Sequence, residues 1–214
     1  MLIRRSLLLV SLLGLALATA CTTMSPGEPR ATGSAGGETS KSRHQTSEGG
    51  EDLPFAGAPK VENPLGTSSY EEDPCKSLSE DQAKYLGLPS TGTIDHNVVL
   101  GVGCDWVNKE TGGEVEIVFV VDDPTGLSSE YDANKRGEWK FFEELPDIEG
   151  YPAVARGDPD DRDIGHCTVV VGVADDMAFE TILRLSDVNV GRLKPCDVAS
   201  EVAGLALKTM KQGA

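Results

Sequence analysis

Four of the five cysteines lie in the last two thirds of the chain, and their spacing constrains the fold more than any other feature. Cys75 and Cys104 are 29 residues apart, and so are Cys167 and Cys196. Four cysteines allow three pairings. The equal spacings favour Cys75–Cys104 and Cys167–Cys196, because each pair would join the start of a predicted helix to a predicted strand. The sequence has no Cys-x-x-Cys motif to support a redox or zinc site, and we predict no metal.

Disulfides persist only in an oxidising compartment, and the start of the chain predicts export to one. A pair of arginines precedes an apolar run from Leu7 to Leu17, and small residues then lead to Cys21. This run is shorter than the ~20 residues that a membrane span requires. The pattern is typical of a secretory signal with a lipobox-like end. We therefore expect a signal peptide at residues 1–20 and a diacylglyceryl group on Cys21, with plain secretion and an uncleaved anchor as the alternatives.

The charge of the chain limits its partners. The formal net charge is −16, with 35 acidic and 19 basic residues. Such a chain repels the phosphates of nucleic acids, so we expect no nucleic-acid partner. It would also be repelled by an anionic membrane surface. Attachment to the membrane is therefore expected through the lipid, on the extracytoplasmic face of the cell membrane.

A polar segment follows the expected lipid anchor. Residues 21–72 are rich in Gly, Ser, Thr, Pro and Glu and have few, unpatterned apolar residues. Such a composition cannot bury enough apolar surface to offset the entropy lost on ordering. We predict a disordered tether over residues 21–72, with a root-mean-square span of roughly 40 Å. The folded domain is then expected over residues 73–214.

Helices are predicted at both ends of this domain. Ser79 and Gln82 form a capping box at the first helix, and Gly87 is expected to end that helix. At the other end, Pro195 can open a helix whose apolar residues recur at spacings of three and four up to Met210. A third helix is predicted from Ser129 towards Phe142, interrupted at Gly137.

Strands are predicted in between, over Val98–Val107, Val115–Asp122, Tyr151–Ala155, Thr168–Val173 and Phe179–Leu185. The pair Asp175-Asp176 between the last two strands is the strongest hairpin signal. This order of elements predicts an α+β domain. Its mainly antiparallel sheet would have about five strands, with the terminal helices packed on it and two disulfides.

Several motifs of this domain carry a resemblance to a known family. They are Asp73-Pro74-Cys75, Gly103-Cys104-Asp105-Trp106, Gly150-Tyr151-Pro152-Ala153-Val154 before Cys167, and Lys194-Pro195-Cys196-Asp197. Together they resemble the actinobacterial lipoproteins grouped as domain-of-unknown-function family 3558, over nearly all of residues 73–211. The resemblance implies a cell-surface lipoprotein with two disulfides. It implies no catalytic residues and no cofactor.

The residues that could carry chemistry point away from catalysis. His96 and His166 are expected in a loop and at a strand end, and no Gly-x-Ser-x-Gly elbow is present. The acidic stretch Asp158–Asp163 lacks the Gly and terminal Glu of an EF-hand loop, so we interpret it as a solvated loop rather than a calcium site. We expect no enzymatic activity, no metal and no cofactor.

Four aromatic residues are candidates for ligand binding. Tyr131, Trp139, Phe141 and Phe142 lie in or near the third predicted helix, where Trp139 and Phe142 would share a face and Phe141 or Tyr131 would line a groove against the sheet. Ordinary core packing is the alternative.

The preferred hypothesis for the function of the folded domain is a binding module for an envelope protein or a lipid-like ligand. An accessory subunit of an envelope complex is the second, and an envelope hydrolase is the weakest.

Overall fold

The computed structural model describes residues 52–96, 98–99 and 101–213. The predicted signal peptide, Cys21 and the tether up to residue 51 lie outside these residues. Among the helices that are described, none combines the length and apolar content that crossing a membrane requires.

A single antiparallel sheet forms the centre of the described domain. Its strands follow the order β1-β2-β3-β7-β6-β5-β4, and every neighbouring pair is antiparallel. The predicted α+β class and antiparallel sheet are confirmed, but the predicted number of about five strands is wrong. The seven strands are β1 Thr93–Asp95, β2 Gly101–Asn108, β3 Gly113–Val120, β4 Phe141–Ile148, β5 Tyr151–Gly157, β6 His166–Ala174 and β7 Met177–Arg184.

Within the part of the chain that the structure describes, four α-helices accompany the sheet. They are α1 Ser68–Glu72, α2 Glu80–Tyr85, α3 Ser128–Lys135 and α4 Pro195–Gly213, with short 3-10 helices at Pro74–Ser77 and Arg162–Ile164. The predicted capping box of α2 is present, since Ser79 Oγ accepts from Gln82 N and Gln82 Oε1 accepts from Ser79 N. Gly87 follows α2 with a φ of +73°, a conformation that costs glycine little and ends helices.

The third predicted helix is wrong in its second half. Helix α3 ends at Lys135, and Gly137 follows with a φ of +74°. The chain then enters strand β4, which pairs with β5 at the edge of the sheet. Pro146 has no backbone N–H to donate, and an edge strand tolerates this loss. The proline lies next to a register shift between Leu145 and Ile148. Phe141 and Phe142 are therefore strand residues and not helix residues.

The two faces of the sheet are covered differently. Helix α4 packs on β6 and β7 and buries Ala199, Val202, Ala203, Ala206, Leu207 and Met210 against the main core. The sheet contributes alternate residues to this core, such as Val169 and Val171. Because successive side chains of a strand point to opposite faces, Val170 lies on the other face. There it joins a smaller cluster with Leu127, Val154 and Ala178, beside α3.

The folded unit begins earlier than the sequence predicts. We expected a disordered tether up to residue 72, but Val61 and Tyr70 are 4% and 6% exposed. Val61 N donates to Asp175 Oδ1 at 2.8 Å, and Leu65 N donates to the Val173 carbonyl oxygen at 2.9 Å. The apolar residues of this segment that pack on the domain include Ala58, Val61, Leu65 and Tyr70.

Both disulfides have the pairing that the spacing favours. Cys75 is bonded to Cys104, and Cys167 is bonded to Cys196. The first bond ties the 3-10 helix before α2 to strand β2. The second ties the start of β6 to the first turn of α4. Each bond therefore fastens a helical segment to the sheet.

Candidate functional site

The four aromatic residues singled out in the sequence do not line one groove. The Tyr131 ring meets the Phe142 ring edge-on, with 5.2 Å between centroids, in the small cluster beside α3. Trp139 and Phe141 instead line a cavity of about 190 Å³, together with His166. Trp139 and Phe142 were expected on one helix face, but the strand conformation of β4 separates them.

The rings of Trp139 and Phe141 are already covered by cations. The Arg156 guanidinium carbon lies 4.4 Å from the Trp139 ring centroid, and that of Arg162 lies 4.0 Å from the Phe141 ring centroid. Such contacts stabilise the cation over the ring face. These two aromatic faces are therefore occupied within the domain itself.

An apolar groove lies between α2 and α4. It has a volume of about 380 Å³. Val115 and Leu183 are paired across β3 and β7, so their side chains meet at its floor. We call it the apolar groove below. The apolar residues that line it include Leu86, Leu88, Val115, Leu183, Leu185, Val198 and Val202, and they are buried or half-buried.

Polar groups surround the apolar groove at its mouth. Tyr85 on α2 is 71% exposed, and its hydroxyl donates to Glu201 Oε1 on α4 at 2.9 Å. This hydrogen bond joins the two helical walls, and together with the Glu201 charge it raises the pKa of Tyr85. Glu114 and Arg184, which face each other across β3 and β7, also line the mouth. Thr111, Ser186 and Asn189 line the groove as well, so apolar and polar side chains both contribute to it, as they do in small-molecule sites.

A wider, charged cavity opens on the other side of the segment that precedes α4. It has a volume of about 800 Å³. We call it the charged cavity below. Its lining includes Glu143, Asp160, Arg162, Asp163, Arg192, Leu193, Lys194 and Asp197. Cys196 also lines it, so the Cys167–Cys196 bond fastens one wall to the sheet.

The acidic stretch Asp158–Asp163 lies partly in this cavity. Arg162 Nε and an Nη atom donate to the two carboxylate oxygens of Asp160 at 2.7 Å each. These hydrogen bonds lower the pKa of Asp160 and raise that of Arg162. Because an internal cation already neutralises Asp160, the stretch offers a poorer set of oxygen ligands for calcium than its composition indicates.

Sequence reasoning missed a cluster of three carboxyl groups on β1, β2 and β3. One oxygen from each of Asp95, Asp105 and Glu116 lies within 4.8 Å of the others. Burial first, and then the charges of Asp105, Asp95, Glu114 and Glu180, together raise the pKa of Glu116 to about 7. Burial, Glu114 and Asp95 also raise the pKa of Asp105. Oxygen donors of this kind suit hard cations, but three of them fall short of the six to eight that calcium takes.

The two histidines of the folded domain lie far apart in the sheet. His96 is exposed and follows β1 at one edge, whereas His166 is the first residue of β6. Strands β2, β3 and β7 lie between β1 and β6. The fold therefore does not bring the two histidines into one site.

The fold and its grooves define a class: an α+β domain with one antiparallel sheet, a covering helix and two disulfides. The family described as "Protein of unknown function (DUF3558)" matches residues 16–209. The match includes all four cysteines of the disulfides, and the chain belongs to this family. No curated protein and no solved structure matches the chain significantly.

Proposed function

We propose that this chain is a lipid-anchored extracytoplasmic lipoprotein whose folded domain is a non-catalytic binding module for an envelope ligand. The apolar groove is the observation that carries this proposal. Its volume of about 380 Å³ lies within the ~300–1,000 Å³ typical of ligand sites. Its apolar residues could hold an apolar group of a ligand, and Glu114, Arg184 and Glu201 at the mouth could orient it.

The two disulfides support a binding role because they hold the walls of the groove. Cys75–Cys104 fastens the segment before α2, and Cys167–Cys196 fastens the start of α4. Helices α2 and α4 are the two walls. A groove whose walls are held before the ligand arrives loses less entropy on binding than one that must first be ordered.

The binding role is tested by native mass spectrometry of the exported chain carrying Cys21→Ser, which removes the lipid. A ligand from the host should appear as a reproducible adduct that is lost on denaturation. Val198→Phe fills the apolar groove and should remove the adduct. Val188→Phe is the matched control, because Val188 is 66% exposed and lines neither cavity. An adduct that survives Val198→Phe would place the ligand elsewhere.

The anchor is tested separately by metabolic labelling with a palmitate analogue. The wild-type chain should carry the label and sediment with membranes, and Cys21→Ser should lose both properties. Two or more acyl chains are needed for stable anchoring, so a partial loss of membrane association would contradict a lipid on Cys21 alone.

A second candidate is an accessory subunit of an envelope complex. Tyr85 and Leu193 are 71% and 48% exposed and both line the apolar groove, so a side chain of a partner protein could fill it. Crosslinking in the native host distinguishes the two roles. A protein captured through a photoreactive residue at position 85 would favour the subunit, and a small-molecule adduct would favour the binding module.

A further inference from the structure

Leu193 connects the apolar groove to the charged cavity. It lines both and is 48% exposed. Its neighbours Arg192 and Lys194 line the charged cavity. A molecule that extends out of the apolar groove past Leu193 therefore enters a region of charged side chains. The two cavities therefore meet at Leu193.

The charged cavity presents free charges of both signs. Arg162 forms an ion pair with Asp160, and its Nη1 lies 3.9 Å from Oε2 of Glu143. Within the described part of the chain, Arg192, Lys194, Asp163 and Asp197 take part in no ion pair. Two cations and two carboxylates are thus available to a ligand.

This arrangement distinguishes between ligand classes. A purely anionic head group would face Asp163 and Asp197, and a purely cationic one would face Arg192 and Lys194. Like charges placed together cost binding free energy and exclude the wrong partner. A head group with one anion and one ammonium group satisfies both pairs. An uncharged ligand would leave the charged cavity unused.

We propose that the ligand is an amphiphile whose apolar chain occupies the apolar groove and whose zwitterionic head group lies in the charged cavity. The chain passes Leu193, which packs against it. A phosphate-type anion contacts Arg192 and Lys194, and an ammonium group contacts Asp163 and Asp197. This inference rests on the proposed binding function and names the class of ligand for the same site.

Three single-chain probes test the inference on the full exported chain carrying Cys21→Ser. They are lysophosphatidylethanolamine, which is zwitterionic, lysophosphatidylglycerol, which is anionic, and an uncharged monoacylglycerol of equal chain length. Binding is measured by native mass spectrometry below the micelle concentration. The zwitterionic probe should bind at least tenfold more tightly than either of the others.

Two variants with matched controls locate the site. Leu193→Asp should weaken binding of all three probes at least tenfold, whereas Val188→Asp, in the same segment, should have no effect. Arg192→Glu with Lys194→Glu should abolish the preference for the zwitterionic probe, whereas Lys109→Glu, exposed in the turn between β2 and β3, should preserve it. Thermal unfolding of each variant shows whether it is folded, and Leu193→Ala replaces Leu193→Asp if the latter is not.

The outcomes separate this inference from the proposed function. Equal binding of the three probes, sensitive to Leu193→Asp, would overturn the head-group assignment and leave the binding module intact. An adduct from the host without binding of any probe would overturn the amphiphile and leave the binding module intact. Neither an adduct nor a bound probe would overturn both. Probe binding that is insensitive to Leu193→Asp would overturn the assigned site.

Discussion

Asp105 and Glu116 lie directly opposite each other on the neighbouring strands β2 and β3, and Asp95 adds a third carboxyl group within 4.8 Å. The burial of Glu116 and, after it, the charge of Asp105 disfavour ionisation, which places the pKa of Glu116 at about 7. In an unfolded chain this carboxyl group would titrate near its ordinary value of 4.5. The pair therefore makes stability depend on pH.

The sign of this dependence follows from the raised pKa. Between pH 4.5 and about 7 the unfolded chain releases the proton and the folded chain retains it, so stability falls as the pH rises through this range. Glu116→Gln removes this effect. We expect the variant to be more stable than wild type by about 1–2 kcal/mol at pH 8, after allowing for solvent screening of a half-buried group, and nearly equal to it at pH 4.

Urea unfolding at pH 4, 6 and 8 measures this difference. Glu110→Gln is the matched control, because Glu110 is exposed in the turn that joins the same two strands. The control should shift stability little at any pH. A stabilisation of Glu116→Gln that is equal at pH 4 and pH 8 would mean that packing, and not ionisation, is the cause.

Arg156 holds two buried carboxylates together on the face of the sheet that α3 covers. Its Nε donates to Glu130 at 3.0 Å, and it also donates to Glu180. Burial raises the pKa of Glu130, and Arg156 counteracts this effect. Arg156→Leu leaves both carboxylates without a cation, so we expect a loss of about 3–5 kcal/mol in the free energy of unfolding.

Two further variants identify the cause of this loss. Arg136→Leu also breaks two ion pairs, with Asp132 and Glu138, but its partners are exposed, so it should change stability far less than Arg156→Leu does. Glu130→Gln and Glu180→Gln, added to Arg156→Leu, should recover much of the stability because they remove the unpaired charges. Chemical denaturation measures the stability of Arg136→Leu, of Arg156→Leu and of the triple variant. A loss that the triple variant does not reverse would point to lost packing against Trp139 instead.

The segment ahead of residue 73 should contribute to stability. The Tyr70 ring stacks on Phe119 at 6.4 Å between centroids, and its hydroxyl donates to the Thr209 carbonyl oxygen at 3.2 Å. Tyr70→Ala should therefore cost about 3 kcal/mol, as for other buried aromatic residues. Tyr85→Ala is the matched control, since Tyr85 is 71% exposed and its removal should change stability much less than the removal of Tyr70. Equal thermal midpoints for the two variants would contradict a structural role for residues 52–72.

The two disulfides should contribute equally to stability. Both close loops with a sequence separation of 29 residues. On the loop-entropy model each closure contributes about 3.5 kcal/mol. Replacing Cys75 and Cys104 with Ser, or Cys167 and Cys196 with Ser, should therefore lower the free energy of unfolding by similar amounts. Guanidinium denaturation measures both, and a difference of several kcal/mol would show that packing around one bond dominates.

Local signals explain which parts of the fold could be predicted. The capping box at Ser79, the apolar period of α4 and the turn at Asp175-Asp176 each depend on residues a few positions apart. Strand β4 could not be predicted, because Phe141-Phe142-Glu143-Glu144 shows no alternation and Pro146 interrupts the segment. At only three residues, β1 is too short to show a pattern.

The candidate site depends on tertiary structure alone. The apolar groove combines residues from α2, β3, β7 and α4, which are distant in sequence, and no local pattern marks them as neighbours. The same holds for Asp95, Asp105 and Glu116, which only the strand register brings together. The predicted aromatic residues do not line one groove, because Phe141 and Phe142 lie in a strand and not in a helix. Their side chains therefore point to opposite faces of the sheet.

The sequence by itself indicated the α+β class, the helix at each end of the domain and the favoured pairing of the cysteines, because these depend on short periods and on the positions of cysteines. Its motifs carried the resemblance to the family. Only the tertiary structure decided the number of strands, the earlier start of the folded unit and the position of the grooves. The physical reason is that side chains on different strands and helices become neighbours through long-range pairing and packing, which no short stretch of sequence encodes.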